Sequence, residues 1–114
     1  MKSREELNKE IIWKTSGPVN GIYVINAPTM YYAAALQKFG PMVRFVDRGT
    51  DWGNPFIMDH ENEREKVCYH FELYALWRLT IEPNWLAPLR GHHLVCHCAP
   101  KRCHAETLRR LANG

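Results

Sequence analysis

Nine consecutive residues near the C-terminus, Cys96-His97-Cys98-Ala99-Pro100-Lys101-Arg102-Cys103-His104, hold three thiols and two imidazoles. Thiolate and imidazole are the preferred ligands of zinc, and a thiolate is also a strong nucleophile. In an extended segment Cys96 and Cys98 point to one side. A turn at Pro100 then returns Cys103 and His104 towards that side. Three chemistries are open. Cys96, Cys98, Cys103 and His104 could close a zinc tetrahedron, although C-x-C-x4-C-H is not a standard finger spacing and the adjacent pair Cys103-His104 crowds it. Alternatively, Cys103 is a reactive thiol: a helix N-terminus favours the anion, Lys101 and Arg102 add positive charge, and His104, His97 or His93 could act as base. The same free N–H groups could hold a phosphate. Finally, the cysteines could simply fill a core, as small apolar residues. Cys68, on an apolar helix face, fits this last reading.

A second unusual segment runs Arg48-Gly49-Thr50-Asp51-Trp52-Gly53-Asn54-Pro55-Phe56. Arg48 offers a planar fork for phosphate or carboxylate. Gly49 and Gly53 let a ligand approach the backbone, Thr50 and Asn54 add hydrogen-bonding groups, and Trp52 adds a stacking surface. A nucleotide or nucleobase uses all of these. The plainer alternative is an ordered turn with Trp52 and Phe56 pinned in the core.

Both segments need elements to position them. Gly21–Asn26 and Met42–Val46 read as strands, as does Leu94–Cys96. Helices are expected over Met30–Phe39 with Thr29 as cap, from His60 or Glu61 to about Leu79 with Asp59 as cap, and over Cys103–Ala112. Val67, Cys68, Phe71, Ala75 and Leu79 share one face of the long helix. Leu73, Leu76 and Trp77 lie elsewhere around it, so its later turns should be covered on more than one side. The alternation implies an α/β fold, a small Rossmann-like sheet of three to four mostly parallel strands with flanking helices. Ligands of such sheets sit at the carboxyl ends of the strands, where both unusual segments begin. Residues 1–17 read as a polar arm, whose Ile11-Ile12-Trp13 docks on the body and can supply an edge strand. Residues 18–114 read as a single domain.

The bulk numbers fit this size. The chain has 114 residues, 46% apolar and 24% charged, with a net charge of +3, which suits one core and an ordinary surface. The scattered Lys and Arg do not form the dense basic face of a duplex-DNA binder. No run approaches the length of a membrane span, and the charged N-terminus is unlike a signal peptide. The expected setting is cytoplasmic and reducing, so the four cysteines read as thiols or metal ligands.

Taken together, the Arg-Gly-Thr-x-Trp-Gly-Asn-Pro-Phe block and the Leu-Arg-Gly-x-x-Leu-x-Cys-x-Cys-x-Pro-x-x-Cys-His block resemble a family of short bacterial and bacteriophage proteins classed as a domain of unknown function. The likeness runs from about Gly21 to the C-terminus. Its hallmarks fall on Arg48, Trp52, Gly53, Asn54, Pro55, Phe56, Arg90, Gly91, Cys96, Cys98, Pro100, Cys103 and His104. It implies a Rossmann-like fold in a phage or bacterial cytoplasmic setting, within the host cell if phage-encoded, and no reaction. The Cys-His opening of the last helix is also similar to the end of another bacterial family that lacks the preceding Cys-x-Cys. Ala105 departs from the glycine found there in many members.

The leading expectation is a protein directed at a nucleotide or nucleobase, its enzymatic status open. Arg48, Thr50, Trp52, Gly53, Asn54 and Arg102 would bind the ligand, and Cys103 with His104 would do the chemistry. The alternative is a zinc-stabilised, non-enzymatic module that binds a protein or nucleic acid, for example a phage protein acting on a host factor. No membrane partner is expected.

Overall fold

A computed structural model describes residues 13–27, 32–98 and 101–113. The chain forms strands β1 (Lys14–Val19) and β2 (Ile22–Asn26), helix α1 (Tyr32–Phe39), strand β3 (Val43–Phe45), helix α2 (Arg64–Ile81), strand β4 (His93–Cys96) and helix α3 (His104–Asn113). Short 3-10 turns occupy Gly40–Met42, Glu61–Glu63 and Ala87–Leu89. The expected Thr29 cap and Met30 lie outside the described residues, as do Ile11 and Ile12.

The four strands make one mixed sheet in the order β1-β2-β4-β3. β4 runs parallel to both of its neighbours, while β1 is antiparallel to β2. β1 straddles the expected border between arm and domain, and it lies at one edge of the sheet. Its hairpin closes at Asn20-Gly21, where both residues have positive φ. A two-residue turn of that kind matches the twist of the paired strands.

Side chains alternate across the sheet, and each face has its own core. Val24, Leu94 and Cys96 face α2 and α3, packing with Val46, Phe71, Ala75 and Leu108. Ile25, Val95 and Val43 face the other way, against Ala35 of α1. Trp13 joins this second core and meets the Phe39 ring edge-on at 5.5 Å. The helices therefore cover opposite faces, α1 on one and α2 with α3 on the other.

Two local expectations are corrected. Asp59 does not cap α2: a 3-10 turn precedes the helix, no side chain caps it, and Arg64 engages Glu61 instead. The later turns of α2 are not covered on several sides. Leu73, Leu76 and Trp77 are 49%, 46% and 59% exposed, because the sheet and α3 together use only the face bearing Val67, Cys68, Phe71 and Ala75. Among the described residues, no helix is long and apolar enough to cross a membrane.

Candidate functional site

β3 and β4 are parallel neighbours, so their carboxyl ends lie side by side. The chain leaves β3 through the 46–60 loop and leaves β4 through the Cys/His segment. These two segments meet the first turns of α2 and α3 around one cavity of about 360 Å³. Its wall takes Asp47, Arg48, Gly49, Asn54 and Met58 from the loop, and Arg64, Val67 and Cys68 from α2. Cys96, His97 and Cys98 line it after β4, and Arg102, Cys103 and His104 where α3 begins.

His104 is fixed by both ring nitrogens. Nε2 lies 2.6 Å from the Val46 carbonyl and must donate to it. In the neutral ring Nδ1 is then a bare acceptor, 3.4 Å from Cys103 Sγ. Phe71 packs edge-on against the imidazole. Burial pushes the pKa of His104 down, with the Val46 bond opposing, so the neutral tautomer is the stable one. The Glu106 carboxylate accepts from the Cys103 N–H at 3.2 Å, as the acidic residue of a capping box does.

Three sulfurs converge here. The Cys98 N–H points at Cys96 Sγ, 3.5 Å away. The Cys103 thiol is within hydrogen-bonding reach of both Cys96 and Cys98. Cys98 is half-buried, whereas Cys103 is 3% exposed. The two titrate in opposite directions. A hydrogen bond from Cys103 and the guanidinium of Arg64, acting against burial, lower the Cys98 thiol to about 5. The Cys96 and Cys98 sulfurs, together with burial, push Cys103 well above the ordinary thiol range. Cys103, expected from its helix N-terminus to be the reactive thiol, is the more buried of the two.

Arg64 is anchored for this task. It forms a bidentate pair with Glu61 at 2.7 and 2.9 Å and donates to the Arg102 carbonyl at 2.9 Å. Arg102 itself pairs with Glu65. Arg48 donates to the Phe56 carbonyl at 3.0 Å and, among the described residues, pairs with no carboxylate. At the rim the Tyr32 hydroxyl donates to Asp47. His97 Nε2, 3.0 Å from that hydroxyl, must then be its donor. The two rings lie nearly parallel, 26° apart.

Of the residues singled out in the sequence, Arg48, Asn54, Cys96, Cys98, Arg102, Cys103 and His104 reach the cavity. Thr50, Trp52 and Gly53 do not line it. The Thr50 hydroxyl donates to the Asp47 carbonyl at 2.8 Å. The Trp52 indole donates to the Trp85 carbonyl at 3.0 Å, and its ring packs on the core. A Cβ on Gly53 would stand 2.6 Å from the Arg48 Cα and the Asp47 carbonyl, so this glycine lets the loop close on the backbone of Arg48. The buried Asn54 accepts from the Phe56 N–H at 2.8 Å. Sequence reasoning missed Arg64, Asp47 and Tyr32. Asp47, next to Arg48 at a strand end, could have been found; nothing local marks Arg64 or Tyr32. Among the described residues, no group of three or more His, Cys, Asp or Glu side chains is arranged to hold a metal ion.

A family profile described as "Domain of unknown function (DUF4326)" matches residues 34–114. Enterobacteria phage T4 has a relative described as an uncharacterized 12.4 kDa protein in the nrdA-td intergenic region, 34% identical over 71 residues. The match covers 60% of this chain and 65% of that relative, so the chain spans less than two thirds of its length. No solved structure matches the chain.

Proposed function

The chain belongs to the DUF4326 family of domains of unknown function, and we propose that within it this protein binds a nucleotide or nucleobase in the strand-end cavity and presents the Cys98 thiolate to it. The observation that supports this most is the cavity wall. Three arginines, Arg48, Arg64 and Arg102, line it together with the Cys98 thiol, which is lowered to about 5. Its volume of about 360 Å³ suits a small organic ligand.

In this reading the sheet is Rossmann-like. Three parallel strands with crossover helices on opposite faces create a crevice at their carboxyl ends. Arg48, free of a carboxylate partner among the described residues, takes a phosphate or another anion. Asn54 hydrogen-bonds the base or sugar. The His97 ring supplies the flat surface first assigned to Trp52. Cys98 is the nucleophile in place of Cys103, and the Cys103 S–H, between Cys98 Sγ and His104 Nδ1, carries the proton. Such a thiolate suits attack on an electrophilic ring carbon.

The test is calorimetric titration of nucleobases and nucleoside mono- and diphosphates into reduced protein. Saturable binding is expected, weakened roughly tenfold or more by Arg48→Ala, the loss of one charge-assisted contact. Gly17→Ala, outside the cavity and with nothing within 4 Å of the added Cβ, should leave it unchanged. The zinc-stabilised module predicts instead no nucleotide binding, one zinc per chain by native mass spectrometry, and unfolding on chelation.

A further inference from the structure

The three sulfurs at the cavity differ in access, and that difference has a chemical consequence whatever ligand the cavity takes. Cys98 is half-buried on the cavity wall. Cys103 lies behind it, 3% exposed, with its thiol in hydrogen-bonding contact with Cys98. The Lys101 N–H bonds to the Cys98 carbonyl at 2.9 Å, which keeps the start of α3, with Cys103, close to Cys98. Arg64, locked onto Glu61, places its guanidinium beside the Cys98 sulfur.

We propose that Cys98 and Cys103 are a hydroperoxide-oxidisable pair, in which Cys98 is attacked first and Cys103 closes a disulfide with it. In the first step the Cys98 thiolate displaces an alkoxide or hydroxide from a hydroperoxide. A sulfur–oxygen bond forms and the O–O bond breaks, leaving Cys98 as a sulfenic acid. The sulfur is oxidised and the peroxide is reduced to an alcohol or water, its proton coming from solvent. Arg64 faces the negative charge leaving the O–O bond. In the second step the Cys103 thiol attacks the sulfenic sulfur, and water departs with the thiol proton, which His104 Nδ1, 3.4 Å from Cys103 Sγ, is placed to pass on. Sensor thiols share this geometry: an accessible thiol with a covered resolving thiol beside it. Cys68 lines the same cavity but is 4% exposed, and burial raises its pKa, so it stays reduced.

The experiment is treatment of the reduced full-length protein with hydrogen peroxide, followed by intact-mass and peptide mass spectrometry, with metal content measured on the same sample. The expected product has lost two hydrogens per chain and carries a Cys98–Cys103 link. In Cys103→Ser the expected product is a Cys98 sulfenic acid captured by dimedone. In Cys98→Ser, Cys103 should stay reduced. Should either variant fail to fold, brief dimedone trapping in the wild-type protein still shows which thiol reacts first. A first adduct on another cysteine, a link that excludes Cys98 or Cys103, or a stoichiometric zinc that keeps all three thiols unreactive would each overturn the proposal. Nucleotide binding is not needed for any of these readouts, so the two proposals stand or fall separately.

Discussion

His104 Nε2 donates to the carbonyl of Val46 at 2.6 Å, joining two residues 58 positions apart. The bond ties the start of α3 to the end of β3, and it fixes which nitrogen of the ring faces the cysteines. Metal ligands and general bases both need such an orienting contact.

Replacing His104 by Ala removes the donor and leaves a buried carbonyl unpaired. The expected loss is about 1–3 kcal/mol of unfolding free energy, read from urea titration. His104→Gln, whose amide can still donate, should recover part of it.

The same residue makes stability depend on pH. Burial holds the folded pKa of His104 below its ordinary value of 6.5. Between those two values the unfolded chain binds more protons, so stability rises with pH through that window and falls as the solution is acidified below 6.5. Urea midpoints of wild type and His104→Gln measured from pH 8 to pH 5 check this, since the other histidines are common to both. The wild type should lose more on acidification.

Cys98 should alkylate with a midpoint near pH 5, its thiol being lowered to about that value. Arg64→Gln removes a cation from the thiolate and should move the midpoint upward. Iodoacetamide rates at each cysteine, followed by peptide mass spectrometry over a pH series, measure both. Cys68, raised by burial, should lag throughout.

Gly53→Ala should cost about 1–3 kcal/mol, as overpacking against backbone does. The new methyl would meet the Arg48 Cα and the Asp47 carbonyl at 2.6 Å, and neither can rotate away. Thermal unfolding gives the stability change. Because the loop carries Arg48, any ligand affinity should fall with it, unlike in a comparison variant such as Gly17→Ala, where a Cβ meets nothing within 4 Å.

The strands were legible as short β-branched, apolar runs and the helices by their apolar spacing and end signals: β2, β3, β4, α2 and α3 lie within a few residues of their expected bounds. The β1–β2 hairpin could also have been read, since Asn20-Gly21 is a two-residue turn signal. The candidate site was half legible. Cys98, Cys103 and His104 announce themselves by local density, and Arg48 by its glycine-rich setting. That Cys98 is accessible while Cys103 is covered was not legible, nor was the approach of Arg64 to Cys98 from 34 positions away. Trp52 misled because a planar ring serves a core as readily as a ligand, and only the Trp85 carbonyl decides between them. The exposed flank of α2 contradicts its hydrophobicity, since sequence shows where apolar residues lie but not whether anything packs on them.

A nucleotide-type ligand seated against Cys98 would shield its sulfur, so ligand protection is the measurement to make. Cys98 alkylation would be timed at pH 7 with and without each nucleobase and nucleoside phosphate, in wild type and in Arg48→Ala. At least one of them is expected to slow alkylation at Cys98, in a saturable way, and Arg48→Ala is expected to abolish the protection. Alkylation at Cys98 that no nucleotide or nucleobase slows would contradict such binding.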